Sequence, residues 1–223
     1  MLTFTYYGLA CIELEFRVRL LLNPGTSPHE ELELLVTADP DYVLVSNSAD
    51  EYMGYIPQLQ ANPNRVIFAN VQVINYLRER GFETKQLRVI SHKETFDTNQ
   101  GVLITAYEQS YEADQLLTNT MYHVTSNQTS VLHLGRARDL HGLPDCRPHL
   151  LCIPIAGPRF GAFSPQAAAE AAVRLEPSYV LPLLGDIAQS TQFDIAVAAQ
   201  KKKITRLFPA EGEAYTVPIY DMK

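Results

Sequence analysis

The sequence predicts a single α/β domain in which two β-sheets lie between outer helices. Three observations carry this expectation. The first and last thirds of the chain repeat a strand–helix–strand rhythm, which implies parallel pairing. The middle, from 85 to 135, reads as strands alone, broken by turn residues and without a helical period. No linker, low-complexity segment or fixed-period repeat interrupts the 223 residues, so 1–223 reads as one domain.

Taken in order, residues 2–7 and 10–16 alternate or run apolar around Gly8, and 17–22 continue in the same style, as antiparallel strands joined by tight turns do. Asn23-Pro24-Gly25 signals a turn. Asp41 to Ser46 (DYVLVS) is a short apolar run suited to a strand buried on both faces. Met53 to Gln60 leads to a second such run, Val66 to Ala69. A helix is expected over Val71 to Gly81, with Val71, Ile74 and Leu77 on one face and Gly81 as its C-terminal glycine. Strands follow around 86–90, 101–107, 120–126 and 130–134, with turns at Asn99-Gln100-Gly101 and Ser126-Asn127-Gln128. Residues 136–148 are polar and contain Gly and Pro, and are expected as loop. Leu150 to Ile155 (LLCIPI) is a buried strand. Ser164 as N-cap and Pro165 at the first helical position open an Ala-rich helix over Gln166 to Leu175, which Pro177 ends. Tyr179 to Leu183 is a strand, Phe193 to Lys203 a helix, and Thr216 to Ile219 a last strand after a turn at Gly212.

Composition narrows the function classes. With 46% hydrophobic and 19% charged residues the chain can bury a sizeable core. Its 18 Lys and Arg against 25 Asp and Glu leave a net charge of −7, which argues against a nucleic-acid partner. The one basic run, Lys201-Lys202-Lys203, reads as a solvated helix end. Cys11, Cys146 and Cys152 form no CxxC pair. Their odd number, together with an N-terminus lacking a basic region and apolar core, fits a reducing cytoplasm. No run of about 18 apolar residues occurs, so no membrane span is expected.

The order of short motifs carries a resemblance. Gly8-Leu9-Ala10-Cys11-Ile12 is followed by Leu22-Asn23-Pro24. The buried strand ending at Val45 runs into Ser46-Asn47-Ser48-Ala49-Asp50-Glu51-Tyr52-Met53-Gly54. Then come Ala69-Asn70 through Tyr76-Leu77 to Gly81, His133-Leu134-Gly135-Arg136, Ile153-Pro154-Ile155-Ala156-Gly157, Ser164-Pro165, Pro182-Leu183-Leu184-Gly185 and a closing turn at Pro209 to Gly212. In this order, over about 1–217, the chain resembles the small metal-dependent hydrolases of the metallo-β-lactamase superfamily, in the L-ascorbate-6-phosphate lactonase-like branch. The resemblance implies a four-layer αββα sandwich. It also implies two divalent metals held by the T-H-x-H-x-D-H-x-G loop, a later His, a bridging Asp and a final His.

Mapped residue by residue, the resemblance places Asn47, Ala49 and Tyr52 at His positions of the loop, Glu51 at its Asp, Glu108 at the later His, Arg136 at the bridging Asp and Leu184 at the final His. None of these is an imidazole, and Ala and Leu ligate nothing. Loss of the dinuclear site is therefore expected, with no cofactor. Only Glu51 and Glu108 remain as oxygen donors. A permanently charged Arg136 could replace part of the missing cation charge by pairing with Glu51 or Glu108, or could point to solvent. Asn47, Asp50, Glu51, Tyr52, Glu108, Arg136, Arg138 and Leu184 are the candidate lining of a polar pocket for a small anion or carboxylate ligand, or a satisfied polar cluster. Gly157-Pro158-Arg159-Phe160-Gly161 matches the family loop that helps shape the pocket, and Arg159 and Phe160 are expected to be exposed there and to contact a ligand or partner. Tyr6, Tyr7, Tyr52, Tyr55, Tyr107 and Tyr111 are expected near it, or as sheet-edge residues. Cys11 is expected in the core, and a Ser46 or Ser48 triad would need a nearby His. Three functions stay open: a pseudo-enzyme binding a small ligand or protein partner; a hydrolase with a rebuilt mononuclear or metal-free site using Glu51, Glu108 and Arg136; and a structural subunit of a homo- or hetero-oligomer.

Overall fold

Short apolar runs whose side chains alternate between two buried faces decide the layering. The computed structural model describes residues 1–25, 39–62, 64–109, 118–127, 129–200 and 203–219, and at positions 60, 61 and 159 the backbone alone. The first sheet is built from β1 (Leu2–Tyr6), β2 (Ile12–Glu15), β3 (Arg19–Leu22), β4 (Tyr42–Val45), β5 (Val66–Ala69) and β6 (Leu87–Val89). The second takes β7 (Thr95–Asp97), β8 (Val102–Gln109), β9 (Asn119–Ser126), β10 (Thr129–His133), β11 (Leu150–Pro154), β12 (Tyr179–Leu183) and β13 (Thr205–Arg206). The chain then returns with β14 (Ala214–Val217) to the edge of the first sheet, antiparallel to β1. Each sheet is half antiparallel and half parallel: β3, β4, β5 and β6 run parallel in one, and β10, β11, β12 and β13 in the other.

In β4, Leu44 faces the other sheet while Val43 and Val45 face the helices. Phe4, Leu14, Leu20, Leu44 and Phe68 meet Ile104, Tyr122, Val131, Leu150 and Leu181 between the sheets. Each such side chain contributes about 1.5–3 kcal/mol of burial. Outside the first sheet pack α1 (Asp50–Met53) and α2 (Val71–Glu79), through Met53, Val73, Ile74 and Leu77. Outside the second pack α3 (Pro165–Leu175) and α4 (Ile187–Ala199), whose Ala168, Ala172, Leu175, Phe193 and Val197 cover Leu151, Ile153 and Val180. The result is the expected four-layer αββα sandwich. No helix among the described residues is long and apolar enough to cross a membrane.

Cap chemistry sets the helix ends. Asn70 accepts from Val73 N and opens α2, and Gly81 past its end takes φ 85°. Ser164 accepts from Ala167 N and opens α3 with Pro165 behind it. The last helix departs from expectation. It starts at Ile187 instead of Phe193, because Asp186 and Gln189 form a reciprocal capping box ahead of an exposed first turn. It also ends at Ala199, so Lys203 lies outside it, and Lys201 and Lys202 fall outside the described residues. β14 ends at Val217, set by pairing with Leu2, and not at Ile219. The short β7, β13 and α1 carry too few residues to show a period. Gln128 and Tyr111 lie outside the described residues.

Candidate functional site

The parallel strands of both sheets end on one edge of the sandwich, where ligand sites of open α/β sheets gather. Buried amides tie this edge together. Asn23 Oδ1 accepts from Ser46 N at 2.8 Å, and Ser46 O accepts from Thr120 N at 2.8 Å across the two sheets. Asn70 Nδ2 donates to Thr120 Oγ1 at 3.1 Å. Asn119 donates to Leu134 O at 3.1 Å and accepts from Arg136 N at 2.7 Å. His133 is fully buried. Its Nδ1 accepts from Gly135 N at 3.0 Å, so Nε2 carries the proton and donates to Ala10 O at 3.0 Å. Burial pushes this imidazole down to about 4, with the Ala10 carbonyl opposing. Gly135 holds φ 57°, and a Cβ there would stand 2.5 Å from Asn119 Oδ1 and 2.6 Å from Ser46 Oγ, so the turn needs glycine.

Beside this edge opens a cavity of about 300 Å³. Leu9 and Leu184 line it, bonded to each other through Leu184 N and Leu9 O at 3.2 Å. Both hold positive φ, 50° and 62°. Left-handed backbone costs bulky residues on the order of 1–2 kcal/mol each, and strain of this kind concentrates at functional sites. Tyr52, Ala156 and Phe160 add apolar wall. The Arg136 guanidinium stands in the same wall. Its Nε donates to Phe160 O at 2.7 Å and it lies against Gly161, φ 69°, where a Cβ would approach Nε to 2.7 Å. Its four other N–H donors have no partner among the described residues. Glu51 and Asp186 supply carboxylates, and Gln189 is held by Ala156 O at 2.8 Å and by the capping box.

Of the residues singled out from the sequence, Glu51, Tyr52, Arg136 and Leu184 line this cavity. Asn47, Asp50 and Glu108 do not. Asn47 is buried: its Oδ1 accepts from Ala49 N at 2.9 Å, and its Nδ2 has no hydrogen-bond partner among the described residues, nor has Ser46 Oγ. Asp50 is exposed on α1. Glu108 sits at the end of β8. Its backbone N donates to His92 Nδ1 at 3.1 Å, and burial raises its carboxyl while His92 opposes the shift. Arg136 departs from the expected pairing with Glu51 or Glu108 and bonds Phe160 O instead. No ion pair joins them among the described residues, because the turn at 158–160 offers a carbonyl closer at hand. Of the tyrosines, Tyr52 lines the cavity and Tyr6 donates to the carbonyl of its wall residue Leu9 at 3.3 Å, while others stand apart. Tyr7 donates to Glu13 Oε2 at 2.9 Å under the helices and Tyr107 stands beside His92. Cys11 is buried, with its thiol pushed well up by burial, and Ser46 makes no triad among the described residues. Asp186 and Gln189 escaped the sequence reading, although their D-x-x-Q spacing announces a helix start.

A pair of divalent metals, which the resemblance implies, needs several imidazoles and carboxylates around one small space. This cavity offers two carboxylates, a phenol, a carboxamide and a guanidinium. Among the described residues no three of His, Cys, Asp and Glu gather to hold a metal ion. The orphaned Asn47 Nδ2 is a donor and calls for an acceptor, not a cation. These residues do not fit such a pair.

The sequence model of the β-lactamase superfamily domain matches residues 3–184. No curated protein matches the chain. Among solved structures, Igni18, a metallo hydrolase from the hyperthermophilic archaeon Ignicoccus hospitalis, superposes with a TM-score of 0.72 at 15% identity, covering 97% of this chain and 99% of that one. The metallo-β-lactamase fold protein YhfI from Bacillus subtilis gives 0.73 at 13% identity, over 97% and 100%. A putative metal-dependent hydrolase from Parabacteroides distasonis gives 0.71 at 15%, over 92% of each chain.

Proposed function

The chain belongs to the β-lactamase superfamily, and from that premise we propose that it is a member without the dinuclear metal centre, a non-catalytic protein whose cavity binds a small ligand. The order of its short motifs supports the L-ascorbate-6-phosphate lactonase-like branch within that superfamily. The observation that carries the proposal is Arg136, a permanent cation anchored on Phe160 O in the cavity wall, at the position where the resemblance puts the bridging carboxylate. A guanidinium beside a divalent pair would repel it, whereas alone it attracts an anionic group and offers that group a planar set of donors. Three free thiols fit a reducing cytoplasm.

The test is metal content by elemental mass spectrometry on tag-free protein, after dialysis against Zn²⁺ and Mn²⁺ and removal of free ions. A stoichiometry near zero is expected. One or two tightly held ions per chain would overturn the proposal in favour of a divergent metal-dependent hydrolase with a rebuilt site. The names of the structural neighbours favour that second reading, and Glu51 would then be the first residue to mutate.

A further inference from the structure

Glu51 and Arg136 face one cavity and form no ion pair with each other among the described residues. Among the described residues Arg136 is held by Nε alone, which leaves its terminal nitrogens for a ligand. Asp186 adds a second carboxylate on the α4 side, one of whose oxygens is engaged by Gln189 N at 2.8 Å. The wall between these charges is Leu9, Tyr52, Phe160 and Leu184. A ligand carrying only negative charge would meet Arg136 but also two carboxylates. A ligand carrying only positive charge would meet the guanidinium. A molecule with both charges satisfies both ends, and an apolar body fits the leucine and aromatic wall. About 300 Å³ holds on the order of ten non-hydrogen atoms at the volume share of water in the liquid.

Resting on the binding reading above, we propose that the cavity takes a small zwitterion, an α-amino acid with an aliphatic side chain. Its carboxylate is received by Arg136 and its ammonium by Glu51 and Asp186.

The experiment is isothermal titration calorimetry on the full chain with L-leucine, 4-methylpentanoate (the same skeleton without the amine) and 3-methylbutylamine (without the carboxylate). Wild type, Arg136→Gln and Glu51→Gln are compared, with folding checked by circular dichroism. L-leucine is expected to bind at least tenfold tighter than either analogue. Arg136→Gln is expected to weaken leucine at least tenfold. Glu51→Gln is expected to weaken leucine about tenfold while leaving 4-methylpentanoate unchanged or tighter. If 4-methylpentanoate binds as tightly as leucine in an Arg136-dependent way, the zwitterion is overturned and the binding cavity stands. If none of the three binds, nor L-valine or L-methionine, the zwitterion is overturned; if acetate and phosphate fail as well, so is the binding cavity.

Discussion

Arg136 and Gly161 share one small space. The guanidinium lies where a Cβ on Gly161 would stand, and that glycine already holds φ 69°. Gly161→Ala is expected to cost about 1 kcal/mol and to shift Arg136, so that Arg136-dependent binding weakens more than stability does; comparing titration with urea unfolding checks this. His133 gives a pH prediction. It is neutral when folded, with its pKa pushed from 6.5 down to about 4 by burial. The unfolded chain therefore binds the extra proton first. Stability from this group is intact above pH 6.5 and is lost as pH falls from 6.5 towards 4, on the order of 3 kcal/mol in all. By NMR the His133 ring protons should stay unshifted down to about pH 5. A midpoint near 6.5 for that residue would refute the buried, doubly bonded imidazole.

At the scale of elements, a side-chain capping box opens α4 at the site, whereas α1, which carries Glu51 and Tyr52, has no side-chain cap. Asp186 and Gln189 start α4 and also line the cavity. Asp186→Ala is expected to cost about 1 kcal/mol, a fall in Tm of roughly 2–4 °C for a chain of this size, read by calorimetry. Asn70 does more than cap α2. Its Nδ2 reaches Thr120 Oγ1 in the other sheet and its Oδ1 takes Val73 N, both in buried surroundings. Asn70→Ala should therefore cost about 2–3 kcal/mol, above an ordinary cap, and an effect below about 1 kcal/mol in urea unfolding would refute that double role.

For the whole molecule, Tyr122 is the tie. From β9 its hydroxyl lies 2.9 Å from Val45 O and 3.2 Å from Phe68 O, both in the opposite sheet. With one core shared between the sheets, unfolding should be a single transition, coincident in near- and far-ultraviolet circular dichroism, and Tyr122→Phe should lower stability by about 1–2 kcal/mol without splitting it. Two separated transitions would contradict the single-domain reading.

Much of this architecture was legible in the chain. DYVLVS and LLCIPI fill strands buried on both faces, and Ser164-Pro165 and Gly81 mark helix ends, because alternation and cap chemistry are local properties of neighbouring residues. The arrival of Glu51, Tyr52, Arg136 and Leu184 at one cavity was legible only through motif order. Other features lay beyond sequence: that Arg136 chooses a carbonyl on the 158–160 turn, that Glu108 stands by His92 instead of the cavity, and that Asp186 joins the wall. A side chain's partner is the nearest suitable group in space, and Arg136 and Phe160 are neighbours only because the loops after β10 and β11 fold back over one sheet edge.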